Sequence, residues 1–349
     1  MKVGVVKEIL PGERRVAIVP DTVPKLTGAK LEVAIQTGAG ALAFYADEAY
    51  QKAGATLVPD AKRVIAGADA LLKVQPPSLD EVASMKSGAI MISFLQPSAN
   101  PDTVKALAKQ KVTAFSLELV PRISRAQSMD ALSSQAGVSG YKSVILAANH
   151  LGKFFPLLIT AAGTVTPARV LVLGAGVAGL QAIATARRLG AVVEAYDVRP
   201  AVKDEVKSLG ASFVELPLQA QEGQGGYAAQ QSEEFLRKQR ELIGDHVASS
   251  DVVITTAAVP GRRAPILVTG DMVGRMRPGS VIVDLTADTG GNVEVTKPGE
   301  VITVNGVTID GSRNLATTMP VHASQLFSSN VSTLLLSLVK DGQPNIDFT

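Results

Sequence analysis

The sequence predicts an α/β protein built from two doubly wound parallel-sheet domains, and three observations lead to that prediction. The chain has 349 residues, which is enough for about two domains. Short apolar runs alternate with helical patterns from its start, and a glycine-rich turn links a strand pattern to a helix pattern in its middle. Alternation of this kind produces parallel strands covered by helices on both faces of the sheet.

The N-terminal region of the chain carries five short apolar runs that predict strands. No glycine-rich turn follows any of them, so we expect this domain to form one wall of a cleft and not to bind phosphate. The predicted strands are residues 3–6, 33–35, 71–74, 90–95 and 112–117, and the predicted helices between them include residues 47–53, 79–85 and 101–109.

Residues 168–200 are the most informative stretch, since they follow the order strand, glycine turn, helix, strand, acid. Residues 170–173 are continuously apolar, as in a strand buried on both faces. Gly174, Gly176 and Gly179 form the pattern G-x-G-x-x-G. The first glycine makes the turn, the second lets the backbone approach a pyrophosphate, and the third lets helix and strand pack closely. The helix predicted at 177–189 would offer its N-terminal N–H groups to the phosphates.

The predicted second strand, residues 192–196, ends at an acid, Asp197. A carboxylate at this position holds a ribose diol and repels the 2′-phosphate of NADP. Arg199 stands nearby and would favour NADP, but an NADP site usually lacks the acid. The whole arrangement therefore predicts a Rossmann-like domain that binds NAD(H).

The remaining patterns complete this second domain and return the chain to the first. We predict a first domain of residues 1–126 and 321–349, a linking helix at 127–160 and a nucleotide domain at 161–320. Long helices would join two Rossmann-like domains, with NAD in the cleft between them. Further predicted elements are helices at 202–209, 232–243 and 321–340, strands at 213–216, 251–256 and 280–285, a mobile polar loop at 219–226, and a hairpin at 301–304 and 307–310 around Asn305 and Gly306.

Composition excludes several classes of function. The net charge is +2 and no basic cluster is interleaved with aromatic residues, which argues against nucleic-acid binding. The absence of cysteine excludes disulfides and thiolate catalysis, and the three histidines stand too far apart for a short metal motif. With no signal peptide and no apolar run of membrane-spanning length, we expect a cytoplasmic protein without direct membrane insertion.

A second polar stretch, residues 121–135, concentrates arginine, glutamine, aspartate and serine before the linking helix. Such a composition can hydrogen-bond a nicotinamide, its ribose and a phosphate. A solvated loop with a capped helix start explains the composition equally well.

Arg122, Gln127 and Asp130 in the string RISRAQSMDALSSQAG resemble the Arg-Gln-Asp loop of proton-translocating nicotinamide nucleotide transhydrogenase. The loop belongs to the NAD(H)-binding domain I of that family, in its alpha-1 type of subunit. The family is related to alanine dehydrogenase. The resemblance covers nearly the whole chain and includes VGVVKEILPGERRVAIVP, TAAGTVTPARVLVLGAGVAGLQAIATARRLGA, ITTAAVPG and DLTADTGGN.

The resemblance implies direct hydride transfer between NAD(H) on this chain and NADP(H) on a partner. Arg122, Gln127, Asp130 and Ser133 would be the catalytic loop residues, with Gln127 steering the nicotinamide and Asp130 and Ser133 bracing the loop. The cofactor-binding residues that it implies are Arg122, Ile123, Ser124, Gln127, Gly174, Ala175, Gly176, Val177, Gly179, Asp197, Val198, Arg199, Gly226, Tyr227, Thr256 and Ala257.

The same resemblance implies partners. The chain has no second G-x-G-x-x-G for NADP and no membrane span, so it is similar to a separate subunit of a three-chain enzyme. Partner chains would supply the membrane-spanning domain and the NADP(H)-binding domain, and this chain would be a homodimer peripheral to the inner membrane. Direct hydride transfer needs no metal, nucleophile or proton on a side chain, which suits a site without histidine or cysteine.

Two alternatives stay open. In an NAD-dependent alanine dehydrogenase-like enzyme, Arg15 and Lys73 would hold the substrate and Asp288 would lie at the nicotinamide. However, Gln96 occupies the position where that family has a histidine, so the general acid/base is missing. The other alternative is an NAD(H)-sensing module without catalysis.

Overall fold

The computed structural model describes residues 1–215, 232–258 and 263–346 and divides into two compact units. Unit 1 consists of Met1–Gln135 and Thr317–Thr349, and unit 2 of Ala136–Ala316. The chain therefore leaves the first unit, builds the second from one continuous segment, and returns. Each unit is an α/β fold around a parallel sheet, so the predicted fold class is confirmed.

Unit 1 contains a six-stranded parallel sheet in the order β3-β2-β1-β4-β5-β6. This is the doubly wound order in which the chain starts at the centre, builds to one edge, and then crosses to the other side. The strands are β1 (Lys2–Val5), β2 (Glu32–Gln36), β3 (Thr56–Val58), β4 (Ala70–Leu72), β5 (Ile90–Ser93) and β6 (Thr113–Ser116), and the helices are α1 (Val23–Gly28), α2 (Asp47–Lys52), α3 (Ala61–Gly67), α4 (Leu79–Ala83) and α5 (Pro101–Lys109).

The long helix α6 (Ala131–His150) starts in unit 1 and continues into unit 2. It is shorter at both ends than the predicted 127–160. Residues Ser124–Met129 form a 3-10 turn, and Asp130 then caps the helix through its side chain. Beyond His150 the chain contains Gly152 and Pro156, which do not favour continuation of a helix. Residues 158–165 form an exposed hairpin of β7 (Leu158–Thr160) and β8 (Gly163–Val165), which the sequence did not predict.

Unit 2 contains a seven-stranded sheet in the order β11-β10-β9-β12-β13-β15-β14. All neighbours are parallel except β14 and β15, which form the predicted hairpin around Asn305 and Gly306. The strands are β9 (Arg169–Leu173), β10 (Val192–Tyr196), β11 (Ser212–Phe213), β12 (Val252–Thr255), β13 (Val281–Asp284), β14 (Val301–Val304) and β15 (Val307–Asp310), and the helices are α7 (Val177–Arg188), α8 (Lys203–Ser208), α9 (Glu233–Ser249) and α10 (Gly270–Arg275).

Helix α11 (Pro320–Ser337) brings the chain back to unit 1 and completes its core, and β16 (Val339–Lys340) and β17 (Gln343–Pro344) follow it. Phe327 is fully buried against Phe94, with ring centroids 5.5 Å apart. The Ser324 and Ser328 hydroxyls accept hydrogen bonds from the backbone N–H groups of Val16 and Val19. The helix thus also satisfies backbone groups that would otherwise be buried without partners. Among the helices in the described ranges, none combines the length and the apolar character needed to cross a bilayer.

Candidate functional site

The glycine turn of unit 2 lies at the carboxyl end of β9, where the order of the sheet reverses. Gly174 has a φ of +100°, which disfavours any other residue. A Cβ on Gly174 would lie 2.6 Å from the Thr256 hydroxyl, and a Cβ on Gly179 would lie 1.9 Å from the carbonyl oxygen of Gly174. The first and third glycines therefore allow turn, helix and neighbouring strand end to pack in direct contact.

Gly176 has a different surrounding. A Cβ placed on it would meet no atom within 4 Å, so the space in front of this residue is open. Gly176 is the N-cap of α7, and no side chain of the described residues caps that helix. The N–H groups of its first turn are therefore available to an anion, and the helix dipole favours one there.

Helix α6 supports the first turn of α7 from within unit 2. Gly140 faces Ala178 so closely that a Cβ on Gly140 would lie 2.1 Å from the Ala178 carbonyl oxygen. This close approach fixes the position of the helix end that follows the glycine turn. Gly140 could not be assigned a role from the sequence, since nothing in the chain pattern shows which helix faces which.

Asp197 follows β10 and is held in place by two residues. Its carboxylate accepts a hydrogen bond from the backbone N–H of Ala175, at 2.7 Å, within the glycine turn. It also forms a two-pronged ion pair with the Arg199 guanidinium, with nitrogen–oxygen distances of 2.9 and 2.8 Å. The hydrogen bond from Asp197 comes first among the causes that raise the pKa of Arg199. The acid and the arginine that the sequence left as competing signals are thus partners.

The loop after β12 contacts the glycine turn from the other side. Thr256 donates a hydrogen bond through its hydroxyl to the Gly174 carbonyl oxygen, at 3.0 Å. The backbone of Ala257 is held by Asn292, whose amide accepts from the Ala257 N–H and donates to the Ala257 carbonyl oxygen. Asn292 is fully buried and belongs to the DLTADTGGN string, so the resemblance marked this residue without assigning it a task.

The Arg-Gln-Asp loop of unit 1 forms the 3-10 turn Ser124–Met129 in front of α6. Asp130 caps α6: its carboxylate accepts from the Ser133 backbone N–H at 2.9 Å and from the Ser133 hydroxyl at 2.6 Å. Arg122 lies 4.0 Å from the same carboxylate, measured from Nε. The aspartate therefore joins the two ends of the loop and orders the start of the helix.

A second anchor of the loop comes from α11. Asn330 donates a hydrogen bond to the Ser128 carbonyl oxygen at 2.9 Å and accepts one from the Ser134 hydroxyl at 2.7 Å. Asn330 is 8% exposed, whereas Arg122, Ile123, Ser124 and Gln127 are all exposed. The loop thus presents polar side chains to solvent from a backbone that is fixed at both ends. Nothing in the sequence marks Asn330, which is about 200 positions from its partners.

The residues of the alanine dehydrogenase alternative are in ion pairs. Arg15 is buried and pairs with Glu13 at 2.7 Å, and its guanidinium also donates to Gln135. Although burial would raise the pKa of Glu13, hydrogen bonds from Arg15 outweigh it and lower that pKa to about 2. Lys73 is fully buried and lies 2.9 Å from Glu81 and 3.5 Å from Glu8.

The other two positions of that alternative are exposed. Asp288 forms a half-exposed pair with Arg313 at 3.0 Å. Gln96 has a φ of +47°, and its backbone N–H donates to the Glu118 carboxylate. None of these residues supplies the imidazole that the family's acid/base chemistry requires.

The structure brings the candidate residues together in two groups. One group surrounds the glycine turn in unit 2, and the other forms the loop in unit 1; Gly226 and Tyr227 lie outside the described residues, as does the polar loop predicted at 219–226. The first group is Gly174, Ala175, Gly176, Val177, Gly179, Asp197, Val198, Arg199, Thr256 and Ala257, and the second is Arg122, Ile123, Ser124, Gln127, Asp130 and Ser133.

Comparisons with known proteins match the chain along nearly its full length. A family model described as alanine dehydrogenase/PNT, N-terminal domain, matches residues 4–139, and one described as alanine dehydrogenase/PNT, C-terminal domain, matches residues 143–349. An NAD(P) transhydrogenase subunit alpha of Rhodospirillum rubrum is 48% identical over 343 residues, which cover 96% of this chain and 89% of that protein. Alanine dehydrogenase of Bacillus subtilis is 33% identical over 299 residues, which cover 84% of this chain and 72% of that protein.

A solved structure agrees with these matches. A crystal structure of transhydrogenase from Sinorhizobium meliloti is similar to this chain with a TM-score of 0.87 and 43% sequence identity, covering 99% of this chain and 98% of that chain.

Proposed function

This chain belongs to the alanine dehydrogenase/PNT family, and from that premise we propose that it is the NAD(H)-binding alpha subunit of an NAD(P) transhydrogenase. One observation carries the proposal: identity to a transhydrogenase alpha subunit is 48% over 96% of the chain, against 33% over 84% for an alanine dehydrogenase. Gln96 supports the same choice, because an amino-acid dehydrogenase would need a general acid/base at that position.

The glycine turn and its surroundings fit a dinucleotide. The open space at Gly176 and the uncapped first turn of α7 match a pyrophosphate, which carries negative charge and needs N–H donors. Ala175, Gly176 and Val177 would bind the pyrophosphate, and Asp197 with Val198 would bind the adenosine ribose. Thr256 and Ala257 would border the ligand from a loop that Asn292 keeps in place.

The Arg-Gln-Asp loop would orient the nicotinamide end. Arg122 and Gln127 are exposed donors on a fixed turn, so they can hydrogen-bond a ligand without first becoming ordered. Asp130 and Ser133 have a different role: their hydrogen bonds are to each other, and they act as positioning residues. When bound, NAD(H) supplies the hydride, and this chain's residues bind it, orient it and exclude water around it.

The partners follow from the family and from the chemistry. We propose a complex in which one partner subunit carries NADP(H) and another spans the membrane, so that this chain is peripheral to the membrane and couples to proton translocation only through them. We further propose that the chain forms a homodimer. A hydride acceptor on a second protein is necessary because the described residues contain a single glycine turn of this type.

Reconstitution tests the function directly. The purified chain should bind NADH and reduce nothing alone, and it should transfer hydride when it is mixed with the NADP(H)-binding component of a transhydrogenase. A parallel assay with NADH, pyruvate and ammonia covers the main alternative. Alanine formation by the lone chain would establish the amino-acid dehydrogenase, and NADH binding without transfer to any acceptor would favour the sensing module.

Gln127→Asn tests the assignment of the loop. The shorter side chain keeps the amide but withdraws it from the ligand, so we expect the rate of hydride transfer to fall by about tenfold or more while NADH affinity changes little. Ser128→Ala on the same turn is the control, and it should transfer hydride at the wild-type rate. An unchanged rate for Gln127→Asn would remove this residue from the mechanism.

A further inference from the structure

The carboxylate of Asp197 is fully engaged in the structure. Its Oδ1 accepts from the backbone N–H and the Nε of Arg199, both at 2.9 Å. Its Oδ2 accepts from the Ala175 N–H at 2.7 Å and from Nη2 of Arg199 at 2.8 Å. A carboxylate has about four lone-pair positions for hydrogen bonds. These four donors therefore leave Asp197 no capacity for a further one.

A ribose diol must compete for the same oxygens. The two backbone N–H donors belong to the glycine turn and to the start of the next 3-10 turn, Pro200–Val202, so they are fixed. The guanidinium is the donor that can move, since the Arg199 side chain is 25% exposed against 6% for Asp197. Binding of a nucleotide with a free 2′-hydroxyl would then replace bonds from Arg199 with bonds from the ribose.

Arg199 is also the residue type that binds a 2′-phosphate, because its planar fork matches phosphate oxygens. In this structure that fork faces the carboxylate, and the pair has no net charge. A 2′-phosphate at this place would meet the anion of Asp197 and could gain Arg199 only by breaking a partly buried ion pair.

We propose that Arg199 is a specificity-determining residue, a phosphate ligand that Asp197 masks. Asp197 then favours NAD(H) in two ways: it accepts the ribose hydroxyl, and it holds the arginine that would otherwise attract NADP(H). The inference rests on the proposed binding of NAD(H) at the glycine turn of unit 2, and it goes beyond it by assigning the preference to a pair of residues.

The test is a cycle of four proteins: wild type, Asp197→Asn, Arg199→Gln and the double variant. Affinities for NADH and NADPH are measured by calorimetry, together with 5′-AMP and adenosine 2′,5′-bisphosphate, which report on the ribose end without the nicotinamide. Asn at 197 still accepts from the Ala175 N–H but no longer neutralises the arginine. We expect Asp197→Asn to strengthen NADPH binding by about tenfold or more, since one charge-assisted hydrogen bond is gained and one repulsion is lost.

The double variant decides the matter. It should lose most of the NADPH gain, and adenosine 2′,5′-bisphosphate should follow NADPH in every protein. Lys203→Gln, combined with Asp197→Asn, is the matched control: it removes a neighbouring cation that pairs with Glu215 and should keep the gain. An equal NADPH gain with and without Arg199 would overturn the proposal.

Arg199→Gln alone gives an independent measurement that does not depend on the Asp197 variant. If Arg199 is masked, its loss should change NADPH affinity by less than about twofold and leave NADH binding equal or tighter. A strong loss of NADPH affinity would show that the arginine already binds phosphate in the wild type and would refute the masking. Wild-type NADH binding without hydride transfer would refute the proposed function only, and no NADH binding would refute both.

Discussion

Gly140→Ala is the substitution with the most direct structural consequence. The new Cβ would lie 2.1 Å from the Ala178 carbonyl oxygen and 2.8 Å from its carbonyl carbon, so it meets backbone and not a movable side chain. To reach even 3.0 Å, below which Cβ contacts are essentially never seen, the two helices must separate by about 1 Å. The displaced group is the first turn of α7, next to the proposed pyrophosphate site.

The cost can be separated from helix propensity with a second variant on the same helix. Gly137 also lies within α6, and a Cβ on it would meet nothing within 4 Å. Each alanine gains about 1 kcal/mol of helix propensity, so the difference between the two variants isolates the overpacking, which we put at about 1–3 kcal/mol. A shift of the helix end should also weaken NADH binding by about fivefold, the equivalent of roughly 1 kcal/mol.

Urea unfolding and calorimetric titration of NADH measure both effects on wild type, Gly137→Ala and Gly140→Ala. Gly137→Ala should be as stable as wild type or more stable and should bind NADH normally. If Gly140→Ala matched Gly137→Ala in stability and in NADH affinity, the close approach of α6 to α7 would not be what fixes the helix end.

Three further substitutions test unit 1. The ionised form of Glu13, whose pKa is about 2 against 4.5 for a free glutamate, stabilises the fold above pH 4.5, and that contribution is lost as the pH falls from 4.5 towards 2; urea unfolding at pH 6.5 and about 3.5 should therefore show a smaller acid loss for Glu13→Gln than for wild type. Asn330→Ala should cost about 1–3 kcal/mol and speed hydrogen exchange in the 3-10 turn Ser124–Met129, because two hydrogen bonds of a buried amide are lost. Asp130→Ala should lower stability by about 1 kcal/mol through loss of the helix cap, measured by thermal unfolding.

Matched controls make these outcomes decisive. Glu32→Gln, at an exposed position, should keep the wild-type acid loss, and an equal loss in Glu13→Gln would contradict the role of the buried pair. Asn330→Asp still accepts from Ser134 and should exchange less than Asn330→Ala. Asp130→Asn retains a cap acceptor, so a destabilisation as large as that of alanine would mean that charge, not capping, is what the helix start needs.

The nucleotide-binding half of unit 2 could be predicted closely because buried parallel strands have a continuous apolar pattern. Strand β10 has the predicted bounds, Val192–Tyr196, and α7 differs by one residue at its end. The edge strand β3 was missed because none of its residues is buried, so its pattern is not that of a core strand. The hairpin of β7 and β8 was missed for a related reason: its residues are exposed, and the small ones suggested a link.

The candidate site shows the same division. Local spacing led to the glycines and to Asp197, since those positions are set by a single strand–turn–helix segment. It could not decide what Arg199 does, because both outcomes use the same two residues and only the direction of the guanidinium separates them. Contacts between distant segments, such as Asn330 with Ser128 or Gly140 with Ala178, follow from how helices pack and leave no local pattern.

The return of the chain through α11 has a consequence for biosynthesis. When a ribosome has made the first 135 residues, unit 1 still lacks the helix that buries Phe94 and satisfies the N–H groups of Val16 and Val19. Unit 2, a continuous segment, can complete its fold while unit 1 waits for the residues after Thr317. The N-terminal part of the nascent polypeptide would then be the last to mature, with its apolar sheet face open to chaperones until translation ends.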